Sequence, residues 1–163
     1  MPKPKRTWKD KLQDDKDLPK VGPIPEKLVK SWGEGTFVIG APREVDALMQ
    51  RVRKGRVTTI DHLRRALAQK HATSTACPIT TGIFAWIAAH AAAESAAGGG
   101  GRITPYWRTL KAQGELNPKY PGGIDGLKRL LEAEGHTIVQ KGSRSFVKDF
   151  KKKAATWEDL LEA

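Results

Sequence analysis

The sequence has one cysteine, Cys77, two tyrosines, two methionines and no long apolar run. A single thiol excludes an intrachain disulfide and any cysteine-rich zinc site, and points to a reducing, cytoplasmic setting. The longest apolar segment, Ile83 to Ala93, is broken by His90 and followed by Glu94. It falls well short of the roughly 20 residues that a membrane-crossing helix needs, so no membrane is expected. No hydrophobic stretch follows the basic start Met1-Pro-Lys-Pro-Lys-Arg6, and a secretory signal is not expected. Histidines at 62, 71, 90 and 136 have no metal-ligand spacing; neither a metal nor a cofactor is implied. Acidic residues are scarce as well, with 18 Asp plus Glu against 29 Lys plus Arg and a net charge of +11. That imbalance favours a polyanionic partner, nucleic acid before an anionic surface.

What remains, over 163 residues, suffices for one core and a single domain with extensions. Residues 1–35 are basic, carry Pro at 2, 4, 19, 23 and 25 and lack a sustained period. They read as a mobile or surface-draped arm, with Trp8 and Trp32 able to pin it to the core or to a partner. Residues 36–150 hold the domain, and 151–163 form a C-terminal extension with Lys151-Lys-Lys153 and a short acidic helix around Trp157 to Leu161. Thr36-Phe-Val-Ile39 is β-prone. Pro42 opens a helix over 42–53 whose apolar face is Val45, Leu48, Met49 and Val52. After Lys54-Gly55, Thr59 caps a second helix running through Lys70. A polar turn from His71 to Pro78 leads to a third helix over 79–96, apolar almost all round and therefore central. Gly98 to Gly101 is a joint rather than a phosphate loop. Gly123 to Ala133 forms a further helix stopped by Gly135, and Thr137–Gln140 with Ser145–Val147 form a hairpin. The expected fold class is α+β, mainly helical: a winged helix-turn-helix domain with a small β-hairpin.

Three segments then stand out in order: Gly55-Arg-Val-Thr-Thr59, Pro105-Tyr-Trp-Arg108, and Tyr120-Pro-Gly-Gly123 leading to Leu130-Leu-Glu-Ala-Glu-Gly135. From Val45 to Gly135 the chain resembles the DNA-binding domain of the alkylguanine-DNA alkyltransferase family (methylated-DNA-protein-cysteine methyltransferases). That family has a Gly-x-Val-Thr-Thr-Tyr entry, a Pro-Cys-His-Arg-Val active-site motif and a Tyr-x-Gly-Gly segment before a Leu-Leu-x-x-Glu helix. The resemblance places Tyr106 at the nucleophilic cysteine and Trp107 at its histidine, leaving only Glu134 of the proton relay. A phenol with a reference pKa of about 10 and no adjacent base is a poor alkyl acceptor. In this the chain is closest to the alkyltransferase-like branch, which carries an aromatic residue at that position and senses alkylated bases without repairing them. The family's intercalating arginine aligns with Gly82, and its phosphate-rotating tyrosine aligns with Ile60.

The resemblance implies a lesion pocket of Pro105, Tyr106, Trp107, Arg108, Tyr120, Gly122, Gly123 and Glu134. DNA contacts are expected from Arg51, Arg53, Lys54, Arg56, Thr58, Thr59, Arg64, Arg65, Thr80, Thr81 and Gly82. No catalytic residue is assigned. The leading expectation is a non-enzymatic DNA-binding protein that senses alkylated bases for repair, with duplex DNA as partner, a repair or other protein as a further one, and nucleoid association. One alternative is a divergent alkyltransferase using Cys77, whose place before Pro78 at a helix start favours a thiolate. Another is an RNA-binding or protein-interaction scaffold that keeps the fold.

Overall fold

In a computed structural model, which describes residues 5–162, the chain is an α+β protein with seven α-helices and three small sheets among those residues. Residues 5–35 do not form a free arm. They fold into α1 (Trp8–Gln13), β1 (Lys20–Pro23) and α2 (Glu26–Trp32). β1 pairs antiparallel with β2 (Thr36–Ile39), Val21 opposite Val38. Thr7 caps α1 in a capping box with Asp10, satisfying two backbone N–H groups that a helix start would leave open. Trp32 packs edge-on against Phe37, ring centres 5.6 Å apart. Elements of four to seven residues are too short to show a helical or strand period, which is why this region looks structureless in sequence.

α3 (Pro42–Gln50) begins at Pro42 and buries Val45, Leu48 and Met49. It stops three residues short of the expected 53: the chain closes with 3-10-type bonds from Arg51 to Leu48 and Val52 to Met49, then turns at Gly55, φ +86°. β3 (Thr58–Thr59) leads into α4 (Ile60–Lys70), which buries Leu63, Ala66 and Leu67. β4 (Thr75–Ala76) pairs parallel with β2 and feeds α5 (Pro78–Ala97), whose buried face is mostly alanine. Such small side chains let α1, α3 and α4 pack closely around α5. A 3-10 turn at Tyr106–Arg108 precedes β5 (Thr109–Leu110), which lies parallel to β3. α6 (Gly123–Ala133) buries Leu127 and Leu131, and β6 (Ile138–Lys141) pairs with β7 (Arg144–Val147) across Gly142.

The C-terminal extension is part of the core. Val57 donates its N–H to Lys153 O at 3.0 Å and accepts from Ala155 at 2.7 Å, while α7 (Trp157–Glu162) packs on α4 and buries Leu160 fully. No helix among the described residues is long and apolar enough to cross a membrane.

Candidate functional site

The segments singled out in sequence are distant along the chain and meet in the fold. Parallel pairing of Thr58 with Thr109 and Thr59 with Leu110 places the Val57-Thr-Thr entry beside the Pro105–Arg108 turn. Arg108 closes the third side: its Nε and Nη2 donate to the two carboxylate oxygens of Glu134 at 2.9 and 2.7 Å, and its Nη1 donates to Val52 O at 2.8 Å. Burial is the largest single influence and opposes ionisation of Glu134, but the Arg108 hydrogen bonds and charge, together with the Trp107 side chain and the Gly55 backbone, outweigh it and hold the carboxyl below its ordinary value. Glu134 is thus committed to a fork-fork ion pair rather than left as a base.

Tyr106 belongs to the hydrophobic core. It is only 8% exposed, lies edge-on to Trp107 and Tyr120 at 5.3 and 6.3 Å, and burial pushes its phenol pKa up. Tyr120 is buried still more deeply, and its phenol is raised further for the same reason. Two neutral phenols, one against an indole and the other against the first, hold no nucleophile at neutral pH. Gly122 and Gly123 have positive φ, +85° and +62°, and form the turn into α6, so their role is backbone geometry. Pro105, Trp107 and Arg108 instead line a cleft of about 970 Å³ between α1, α3, the C-terminal half of α5 and the 102–108 segment.

The residues expected to touch DNA separate into three groups. Several are engaged within the fold. Arg51 donates to Leu160 O at 2.7 Å, Arg56 to Lys153 O and Ala154 O, and Arg64 to Ala76 O and the Thr75 hydroxyl. Thr58 gives its hydroxyl to Ala155 O, Thr81 gives its own to Cys77 O, and Thr59 caps α4. These side chains hold the C-terminal extension and the α4–α5 turn in place. Arg53 and Lys54 are exposed and line the cleft. Arg65 is exposed on α4, and Gly82 faces open space on α5; the Thr80 hydroxyl near it is enclosed without a hydrogen-bond partner among the described residues.

Beside Gly82 lies a feature the sequence reading missed. Ile79 and Ile83 on the first turns of α5 are 66% and 45% exposed. One turn further along the same face, Trp86 and His90 are covered by Trp8, which stacks on His90 at 4.6 Å and meets Trp86 edge-on at 4.7 Å. Glu94 accepts the N–H groups of Trp8 and Lys9 and fixes α1 there. The i, i+4, i+7, i+11 spacing of 79, 83, 86 and 90 marks one helix face, but a helix apolar all round gives no cue as to which part stays open.

Cys77 is 6% exposed, and its N–H donates to Val38 O. A thiol so enclosed is a small core residue rather than an accessible nucleophile. Among the described residues no three His, Cys, Asp or Glu side chains lie close enough together to hold a metal ion. Comparison with family models, curated proteins and solved structures gave no match to this chain.

Proposed function

We propose that the chain is a non-enzymatic, alkyltransferase-like DNA-binding protein. It docks on duplex DNA through a winged helix-turn-helix in which α5 is the recognition helix and the β6–β7 hairpin the wing. The observation that carries this reading is the open face of α5. Gly82, where an added Cβ would meet nothing within 4 Å, sits between exposed Ile79 and Ile83 on the helix that follows the α4 turn. Apolar side chains on a protruding helix face suit contact with thymine methyls or wedging between base steps, and the +11 charge supplies the attraction to phosphate. The rest of the arrangement supports recognition without chemistry: Tyr106 is core, Glu134 is paired, and Cys77 is enclosed.

The test is a salt-series titration on one duplex, plain and carrying a single alkylguanine. The reading predicts a log–log salt slope of about −2 or steeper, the value for two or more phosphate contacts, and tighter binding of the alkylated duplex. Equal binding of both duplexes removes lesion sensing and leaves general DNA binding. Preference for structured RNA over either duplex overturns the reading in favour of an RNA-binding scaffold.

A further inference from the structure

The cleft of about 970 Å³ is separate from the open α5 face, and it is lined by Trp107 but not by the buried phenols of Tyr106 and Tyr120. Ala88 on its wall is nine residues from Ile79, about two and a half helical turns, which places the two on opposite sides of α5. Its volume is at the upper end of small-molecule sites, which run from about 300 to 1,000 Å³. Alanines at 88, 91 and 92 make room for it where larger residues would close the gap.

Its chemistry is of two kinds. Lys9, Arg53, Lys54 and Arg102 stand around it, all exposed and none in a salt bridge among the described residues. Its one carboxylate, Asp46, is half-buried and held in place by the Thr104 hydroxyl at 2.7 Å and Gln50 Nε2 at 2.8 Å. Arg108 lies over the Trp107 ring, 5.4 Å from its centre, so the wall carries two planar groups side by side. Surplus cations suit phosphate. Planar aromatic and guanidinium groups stack bases, and a fixed carboxylate beside an amide suits the amino and ring N–H groups of a base edge. A bare anion uses only the first of these, and an apolar ligand only the stacking surface.

We propose that this cleft binds a nucleoside phosphate, with phosphate on Arg53, Lys54 and Arg102 and the base among Asp46, Gln50 and Trp107. The nucleotide is either free or part of a single strand. The site is independent of the α5 reading and stands if that reading fails.

The experiment is calorimetric titration of the full chain at low salt with ADP, with inorganic phosphate and with a short oligo-dT. The Trp107 indole resonance, assigned through Trp107→Phe, is followed in parallel. ADP or the oligonucleotide binds with a Kd below about 1 mM, shifts that resonance, and binds at least about tenfold tighter than phosphate. Whichever of the two binds tighter identifies the source. The triple variant Arg53→Glu, Lys54→Glu, Arg102→Glu alters only exposed, unpaired side chains and weakens binding more than about tenfold, while Arg65→Glu on α4 leaves it unchanged. Phosphate binding as tightly as ADP, affinity retained in the triple variant, or no binding at all overturns the proposal.

Discussion

Replacing Glu134 by Gln leaves the Arg108 guanidinium enclosed without its counter-charge. The side chains are 14% and 8% exposed for Arg108 and Glu134, and the pair is bidentate. Breaking such a pair from one side costs about 3–5 kcal/mol. Because the glutamine carbonyl still accepts one N–H and Val52 O keeps its own bond at 2.8 Å, the loss falls at the lower end, about 3 kcal/mol. At about 2–4 °C per kcal/mol for a chain of this size, Tm drops by about 6–12 °C. Changing both partners, Glu134→Leu with Arg108→Met, removes the stranded charge and recovers most of that loss, since apolar replacement of a buried pair is often near neutral. The pair also sets an acid limb. The Glu134 pKa is depressed in the folded state, so its contribution is present above the ordinary glutamate range and lost as pH falls through the depressed value. Circular-dichroism melts of the three proteins at neutral pH and in mild acid measure all of this. A single variant melting within about 1 °C of the parent at neutral pH, below any loss the ion pair would cause, refutes the reasoning, as does a double variant less stable than the single.

Further outcomes follow from the same geometry. Trp8→Ala removes the stack on His90 and the edge contact with Trp86; it should cost about 2 kcal/mol, less than a fully buried Trp, and expose residues 5–19 to limited trypsin digestion that spares the parent. His136 has both ring nitrogens enclosed without a partner among the described residues, and burial, with Lys153 nearby, lowers its pKa. Its contribution to stability is therefore present above the ordinary histidine range and lost as pH falls through the lowered value. Melts from pH 7.5 down to 5.5 should show a smaller fall for His136→Leu than for the parent. Cys77 should react with a thiol reagent about a hundredfold more slowly in the native protein than in denaturant, read as absorbance against time; equal rates would place the thiol on the surface.

Much of the helical frame is legible in the sequence because the signals are local. Pro42 and Pro78 start helices, Gly135 follows one, and the apolar spacing in α3, α4 and α6 gives the buried face, though α3 ends three residues before the expected 53. The two-residue strands β3, β4 and β5 are not legible, because each exists only through a partner more than 30 residues away. The same holds for the extension: Ala154–Ala155 gains structure only by pairing with Val57. In the candidate site, Arg108 and Glu134 can be selected from the aligned motifs, whereas their bidentate contact comes from the approach of α6 to the 105–108 turn. Sequence reasoning groups Arg51 to Arg56 by proximity in the chain. In the fold Arg51 and Arg56 bind backbone carbonyls of the extension, and Arg51, Arg53 and Lys54 line the cleft while Arg56 does not, a division that depends on where the chain turns at Gly55.

Gly82→Glu tests the open face of α5 as the DNA-docking surface. The added side chain has room and sits on a helix interior, where replacing glycine stabilises by roughly 0.5–1 kcal/mol, so folding is not at risk. Duplex affinity measured by anisotropy at low salt should fall at least about tenfold, the equivalent of about 1.4 kcal/mol, as a carboxylate meets phosphate, while nucleotide binding in the cleft is unchanged. A parent that binds duplex and a variant that binds it equally well would contradict α5 as the recognition helix.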